Sequence, residues 1–149
     1  MQETVFYFCF RILKMMLINN EIIQKINLIE NLSKVKVKEL IERDDKLIVI
    51  INENELIKII KDKGKNIKNI ERMMHTRIKV VEFNKDPLKF TKNYIYPIRP
   101  LKINLNDNII EISVEDRKSK GLLIGRESKN LNELNNLIKK YYNLQAKVM

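Results

Sequence analysis

The distribution of apolar and polar residues predicts a regular series of helices and strands in the first half of the chain. Isoleucines recur at helical spacing from Asn20, a favoured residue at a helix N-terminus, to about Leu32. The stretch KVKVKEL alternates with period two, as a half-buried strand does, and LIVII is apolar throughout, as a buried strand is. RDDK separates these strands as a turn. The remaining elements are two short helices at about 54–60 and 65–75, interrupted by KDKG, and a strand at RIKVVEF.

The second half of the chain repeats the same order of helix, strand, strand, helix, helix and strand. Asp86 is predicted to cap a helix that begins at Pro87, where proline is favoured, and Pro97 ends this helix. The elements that follow are a strand at LKINLN, a turn at ND, a central strand at NIIEISV, a short helix from Glu115 or Asp116 through Leu123, an interruption at GRES, a helix from Lys129 to about Tyr142, and a strand at AKV.

The two halves align without gaps around their interrupted helices, at a separation of 64 residues. Ile60 corresponds to Ile124, and Asn66 corresponds to Asn130. We therefore expect two copies of one small domain with almost no linker between them. The predicted organisation is an N-terminal extension at 1–15, a first domain at 16–84 and a second domain at 85–149.

The N-terminal extension is apolar enough to raise the question of a membrane. Its apolar run, Val5 to Phe10, is far shorter than the roughly 20 residues that a spanning helix needs, and Arg11 follows it. No basic segment precedes the run and no small-residue cleavage site follows it, so no secretory signal is predicted. Two explanations stay open: translation that starts at Met15 or Met16, or a short strand or apolar appendage.

The charge and the amino-acid composition limit the classes of function that this chain is expected to have. Lysine and arginine outnumber aspartate and glutamate by 29 to 19, which gives a net charge of +10. This excess favours an anionic partner such as nucleic acid, although a nucleotide bias of the genome would explain it equally well. The single Cys9 excludes an internal disulfide and a cysteine zinc cluster, which fits a reducing cytoplasm. Without a Walker loop or a nucleophile–base pair, neither an enzyme nor a cofactor is expected.

The repeated order of elements, with a glycine-containing interruption between two helices, resembles that of a type II KH domain. The joining segment DPLKFTKNYIYPIR and the stretch VEDRKSKGLLIGRESKN resemble those of archaeal NusA-like transcription factors. This resemblance extends from about residue 16 to the end. It implies an α+β fold of two type II KH domains in tandem, each a three-stranded mixed sheet covered on one face by three helices.

The same resemblance implies a function in transcription. Proteins of this family bind single-stranded RNA through Gly-X-X-Gly loops and act in elongation and in termination or antitermination. The implied partners are single-stranded RNA and RNA polymerase, for a monomeric cytoplasmic protein with no cofactor and no membrane attachment. The alternative is a protein-interaction adaptor of the same fold, which docks on RNA polymerase and has largely lost RNA binding.

Both loops depart from the Gly-X-X-Gly pattern. The first loop reads Lys-Asp-Lys-Gly at 61–64 and the second reads Gly-Arg-Glu-Ser at 125–128, so each keeps one glycine. Each also carries an acid, Asp62 or Glu127, where a phosphate would lie. At 4 Å a like-charge contact costs roughly 1 kcal/mol in water and about 4 kcal/mol at an effective dielectric of 20.

A loop of this kind binds RNA through its backbone and its cations. Little side-chain bulk lets backbone amides approach phosphates, and the following helix presents the positive end of its dipole. Ser128 also has a structural interpretation as the N-cap of the helix that begins at Lys129. Asn66 and Asn130 are expected to cap or brace the loops. The RNA-binding residues implied by the resemblance are Lys61, Lys63, Gly64, Lys65 and Lys68 in the first copy, and Gly125, Arg126, Ser128 and Lys129 in the second.

A few other residues have competing interpretations. His75, the only histidine, is predicted to cap a helix C-terminus rather than to act in catalysis or metal binding. Met73 and Met74 are expected to fill the core. Tyr141 and Tyr142 could stack on bases, or one could lie in the core and the other at the surface.

Overall fold

The computed structural model of the chain describes residues 20–149. The predicted N-terminal extension at 1–15 lies outside the described residues. The chain divides between Val81 and Glu82 into two compact units, called the first unit and the second unit below. Helices and a three-stranded sheet occur in each unit, which confirms the predicted α+β class.

The first unit contains three helices and three strands among its described residues. Residues 20–33 are helical and are called α1. The elements after it are β1 (Val37–Glu42), β2 (Lys46–Ile51), α2 (Leu56–Lys61), α3 (Lys65–Met74) and β3 (Arg77–Glu82).

The sheet of the first unit has the order β1-β2-β3. Strands β1 and β2 are antiparallel, with Leu40 opposite Val49, and a bulge shifts their register between Val37 and Glu39. The tight connection predicted at RDDK is present, because the Arg43 amide donates to the Lys46 carbonyl at 2.9 Å. All of Leu47–Ile51 is buried, as its unbroken apolar sequence predicts.

An apolar cluster forms part of the core of the first unit. Ile29 of α1 and Val49 of β2 belong to it, and so do Ile67 and Ile70, which the 3.6-residue period places on one face of α3. Each such side chain contributes roughly 1.5–3 kcal/mol when it is fully buried. Met74 packs against this cluster as predicted, whereas the prediction for Met73 is wrong, since 59% of its surface is exposed.

The second unit has the same order of elements. Its sheet is mixed, with β4 antiparallel to β5 and β5 parallel to β6. The elements are α4 (Pro87–Ile95), β4 (Lys102–Asn106), β5 (Ile109–Ser113), α5 (Arg117–Ile124), a short 3-10 helix (Arg126–Ser128), α6 (Lys129–Tyr142) and β6 (Gln145–Val148).

Local signals fix several boundaries in the second unit. The Asp86 carboxylate accepts from the Leu88 amide at 3.0 Å, with Pro87 in the first turn, so the predicted cap of α4 is confirmed. Asp107 and Asn108 both have positive φ, which is the geometry of a two-residue hairpin turn between β4 and β5.

Aromatic side chains dominate one part of the second unit. Phe83 and Phe90 contact both Tyr141 and Tyr142, with ring centroids 5.4–6.1 Å apart. The Tyr142 hydroxyl also donates to the Asn84 carbonyl. Both tyrosines are half-buried in this cluster, so the expectation that one would lie in the core and the other at the surface is wrong.

None of the helices within residues 20–149 has both the length and the apolar character that crossing a lipid bilayer requires.

Candidate nucleic-acid interface

The first loop, Lys61–Gly64, is a tight turn between α2 and α3. Lys61 is the last residue of α2, and Lys63 and Gly64 both adopt the left-handed conformation, with φ of 58° and 73°. The Lys63 amide donates to the Ile60 carbonyl at 3.0 Å, and the Lys65 amide donates to the Asp62 carbonyl at 3.2 Å. Because these amides bond within the turn, side chains rather than backbone dominate the outer surface of this loop.

The Asp62 carboxylate bonds to the backbone of its own turn. Its Oδ1 atom accepts from the Gly64 amide at 2.9 Å, and its side chain is half-buried. An aspartate that bonds to the amide two residues ahead forms an Asx turn, which the Asp-X-Gly spacing of the sequence favours. The sequence predicts that this acid lies where a phosphate would bind, and the structure shows that it also shapes the turn.

The cations of the first loop surround this turn. Lys61, Lys63 and Lys65 are all exposed, and Lys68 is exposed one helical turn further along α3. The five residues predicted in the first copy thus lie at the end of α2, in the turn and in the first turn of α3, and the four lysines are exposed. Apolar surface adjoins them, since Ile57 and Ile60 of α2 are 58% and 63% exposed.

The second loop, Gly125–Ser128, also joins two helices, but it leaves the first helix in a different way. Gly125 ends α5 with φ 74° and ψ 173°, a conformation that is essentially restricted to glycine. Its amide donates to the Gly121 carbonyl at 2.8 Å. Glu127 and Ser128 then adopt left-handed φ values of 55° and 60°. Arg126, Glu127 and Lys129 have exposed side chains.

Asn130 braces the second loop. Its side-chain amide donates to the Leu122 carbonyl near the end of α5 at 2.9 Å. The same side chain covers Gly125, where a Cβ atom would lie 2.6 Å from the Asn130 Cγ and Nδ2 atoms. The predicted bracing role of Asn130 is therefore confirmed, and it explains why this copy keeps its first glycine.

Ser128 lies at the predicted N-cap position of α6, but it does not cap the helix through its side chain. Its backbone is left-handed, whereas a capping serine has an extended conformation, and its hydroxyl makes no capping hydrogen bond. The prediction that the Ser128 side chain caps α6 is therefore wrong.

The two loops share one backbone feature although they share no glycine position. Lys63 and Gly64 in the first loop correspond to Glu127 and Ser128 in the second, and all four residues are left-handed. A non-glycine residue in this conformation costs roughly 1–2 kcal/mol. Both copies thus have two consecutive left-handed residues before a helix. In the second copy neither of these residues is glycine.

Helix α5, which leads into the second loop, has a charged start. The Asp116 carboxylate accepts from the Ser119 amide at 3.0 Å. Hydrogen bonds from the Ser119 side chain and backbone hold the pKa of Asp116 below its ordinary value. The exposed cations Arg117, Lys118 and Lys120 follow it on the same helix.

Beyond the first loop, α3 ends beside a charged groove. His75 is the C-cap of this helix, with left-handed φ of 53°, and its amide donates to the Glu71 carbonyl, which confirms its predicted position. Within residues 20–149 no set of three or more His, Cys, Asp or Glu side chains is arranged to hold a metal ion. The residues that line the groove are Asp44, Asp45, Lys68, Glu71, Arg72, His75, Thr76 and Arg77.

Comparison with known proteins gives three archaeal relatives of the same kind. No protein-family model matches the chain. A probable transcription termination protein NusA of Thermoplasma acidophilum is 22% identical over 132 residues, which cover 87% of this chain and 92% of the relative. The protein of that name from Methanococcus vannielii is 26% identical over 118 residues, covering 76% and 68%, and that from Methanocaldococcus jannaschii is 21% identical over 127 residues, covering 83% and 69%.

A solved structure has the same fold. The crystal structure of APE1850 superposes with a TM-score of 0.62 at 22% sequence identity, covering 85% of this chain and 96% of that one. At this level of identity the likeness concerns the fold.

Proposed function

Because the chain resembles archaeal NusA-like transcription termination proteins over most of its length, we propose that it is a tandem type II KH protein that binds single-stranded RNA in transcription. The proposed step is elongation, termination or antitermination. Its action is binding without catalysis, as a cytoplasmic monomer that needs no cofactor.

The observation that carries this proposal is the repeated turn between two helices in each unit. In both copies two consecutive left-handed residues precede the second helix, at 63–64 and at 127–128. KH domains bind about four nucleotides beside a loop of this kind. The repetition of the turn in spite of different sequences supports a common use of both copies.

The chemistry of the first loop suits phosphate. Lys61, Lys63 and Lys65 are exposed around a compact turn, and the one acid within it bonds to the backbone. The N-terminus of α3 adds a partial positive charge at the same place. RNA backbone is therefore the ligand that this surface fits best, with the lysine side chains as the main contacts.

The second loop is expected to bind more weakly. Glu127 is exposed next to Arg126, so its charge opposes that of the loop cation. Arg126 and Lys129 remain available to phosphate, and the bracing by Asn130 keeps the turn in place. We infer that the first copy provides most of the affinity and that the second copy adds a smaller contribution.

Fluorescence anisotropy with a mixed-sequence single-stranded RNA across a salt series tests this function. The logarithm of the affinity should fall with the logarithm of salt by about 0.7 for each neutralised phosphate. Lys63→Glu should weaken binding more than Arg126→Glu, and Lys89→Glu on α4 is the matched charge control. The proposal would be contradicted by an affinity that does not change with salt concentration. It would also be contradicted if all three substitutions weakened binding equally.

The alternative function is an adaptor that docks on RNA polymerase. The hydrogen bonds that occupy the loop amides of Lys63, Gly64 and Lys65 favour it, because they remove donors that a phosphate would use. Exposed Leu122, beside the second loop, offers apolar contact area to a protein. A folded protein that binds no RNA at low salt but is retained by purified archaeal RNA polymerase would support the adaptor.

A further inference from the structure

A line of cations continues from the first loop along the outer face of α3. Lys65, Lys68 and Arg72 follow one another at intervals of three and four residues, so they lie on one side of the helix, and all three are exposed. Ile67 and Ile70 occupy the opposite side and are buried. We call the three cations the α3 stripe.

The acid within this helix does not interrupt the stripe. Glu71 is the only acidic residue of α3, and it is half-buried. Its Oε1 atom accepts from the Ile78 amide at 3.4 Å, on the side of β3. The positive charge of the exposed helix face is therefore not cancelled within α3.

Two more residues extend the stripe beyond the end of the helix. His75 and Arg77 are exposed and line the same groove as Lys68 and Arg72. Asp44 and Asp45, from the turn between β1 and β2, form an acidic wall of this groove. Glu71 lines the groove as well, but its Oε1 atom accepts from the Ile78 amide. A polyanion is therefore attracted to the exposed Lys68 and Arg72 and repelled from the turn at Asp44 and Asp45.

The spacing of the stripe fits a nucleic-acid backbone. Seven residues separate Lys65 from Arg72, which is about 10 Å along a helix that rises 1.5 Å per residue. Within a DNA duplex, each strand advances about 3.4 Å per nucleotide, which we take as the scale for a stacked single strand. The stripe is therefore as long as about three successive nucleotides.

The second unit lacks this feature at the corresponding positions. With the same separation of 64 residues, Lys65 corresponds to Lys129, while Lys68 and Arg72 correspond to Asn132 and Asn136. The stripe is thus a property of the first copy and not of the repeated loop geometry.

We propose that the α3 stripe and Arg77 hold the phosphates of the RNA nucleotides that follow those bound at the first loop. This inference rests on the proposed RNA-binding function and assigns a longer path to the first copy. Arg72 and Arg77 are the residues that it adds to the loop contacts.

The test compares single-stranded RNAs of four and eight nucleotides in salt titrations. The Arg72→Asn/Arg77→Asn variant removes two exposed cations from the path. For the eight-nucleotide RNA we expect the salt slope to fall by about 1.4, that is 0.7 per phosphate, and the affinity at about 0.1 M salt to fall about tenfold. For the four-nucleotide RNA the affinity should stay within about twofold of the wild-type value, because the loop alone holds that length.

A matched control distinguishes the loss of the proposed RNA contacts from the effect of a lower net charge. Lys89→Asn/Lys92→Asn on α4 removes the same charge from exposed positions elsewhere, and it should leave both RNAs bound as in the wild type. If the Arg72/Arg77 variant matches this control while Lys63→Glu still weakens binding, the path is refuted and the loop function stands. If the folded wild-type protein binds neither RNA, the proposed function itself fails.

Discussion

Asn130 lies directly over Gly125, so close that a Cβ atom on the glycine would come within 2.6 Å of the Asn130 side chain. The same asparagine bonds to the Leu122 carbonyl at 2.9 Å and so ties the start of α6 to the end of α5. Gly64, in contrast, has left-handed φ, but a Cβ atom added there would meet no other atom within 4 Å. The one glycine of each loop is therefore kept for a different physical reason.

This difference predicts unequal costs for alanine at the two glycines. Gly125→Ala should lower the free energy of unfolding by about 3 kcal/mol, because a strained backbone conformation and a steric clash add together. Gly64→Ala should lower it by only about 1 kcal/mol, from the left-handed conformation alone. Urea denaturation measures both. Equal losses would show that Asn130 does not confine Gly125.

The second prediction concerns the left-handed Ser128. Ser128→Gly should raise the free energy of unfolding by about 0.5–1 kcal/mol, because glycine relieves the left-handed conformation at some cost in unfolded-chain entropy. Ser128→Ala should change it little, since the hydroxyl makes no capping bond to lose. A loss of about 1 kcal/mol in the alanine variant, which is typical of a lost cap, would show that the hydroxyl does cap α6.

The third prediction concerns the acid in the first loop. Asp62→Asn keeps an oxygen that can accept from the Gly64 amide but removes the charge. Since a like charge at 4 Å costs roughly 1 kcal/mol in water, RNA affinity at low salt should rise by up to about fivefold with unchanged thermal stability. Anisotropy and a thermal melt measure the two effects. An unchanged affinity would place the phosphates away from Asp62.

The fourth prediction is a pH dependence at the start of α5. Hydrogen bonds from Ser119 lower the pKa of Asp116 in the folded state relative to the ordinary value of 3.8. Because the pKa of Asp116 is lower in the folded state, its ionised carboxylate stabilises the folded protein above pH 3.8. This stabilisation is lost as the pH falls through the folded-state pKa.

The comparison is between wild type and Asp116→Asn, whose side chain does not titrate. The wild-type melting temperature should exceed that of the variant near neutral pH, and the difference should shrink between about pH 4 and pH 2. Other carboxyl groups titrate in both proteins and so do not contribute to the difference. A gap that stays constant with pH would contradict the assigned cause.

The helices and strands of this fold can be predicted from the sequence because each is marked by residues close to it in the chain. Pro87 after Asp86 marks the start of α4, and the alternation of LKINLN marks β4. The period of isoleucines in α3 identifies the face that is buried. Each of these signals depends on neighbours within a few residues, so a single sequence contains it.

The loops were less predictable because their backbone depends on which hydrogen bonds form. The sequence does not show which group the Asp62 carboxylate bonds to. The structure shows that it accepts a hydrogen bond from the Gly64 amide. Ser128 is a favoured N-cap residue, but the left-handed turn denies it the extended conformation that capping needs. The prediction for Met73 was wrong because it followed the neighbouring Met74, whereas Met73 is 59% exposed and Met74 packs against the core.

The paired left-handed residues also bear on how such loops can be recognised in other chains. A search for the Gly-X-X-Gly tetrapeptide passes over both copies here, because the first has lysine and the second has serine at one glycine position. A search of structures for two consecutive left-handed residues between short helices finds both. The two loops therefore have the same backbone shape although their sequences differ, and comparison of backbone angles detects a repeat that the tetrapeptide does not.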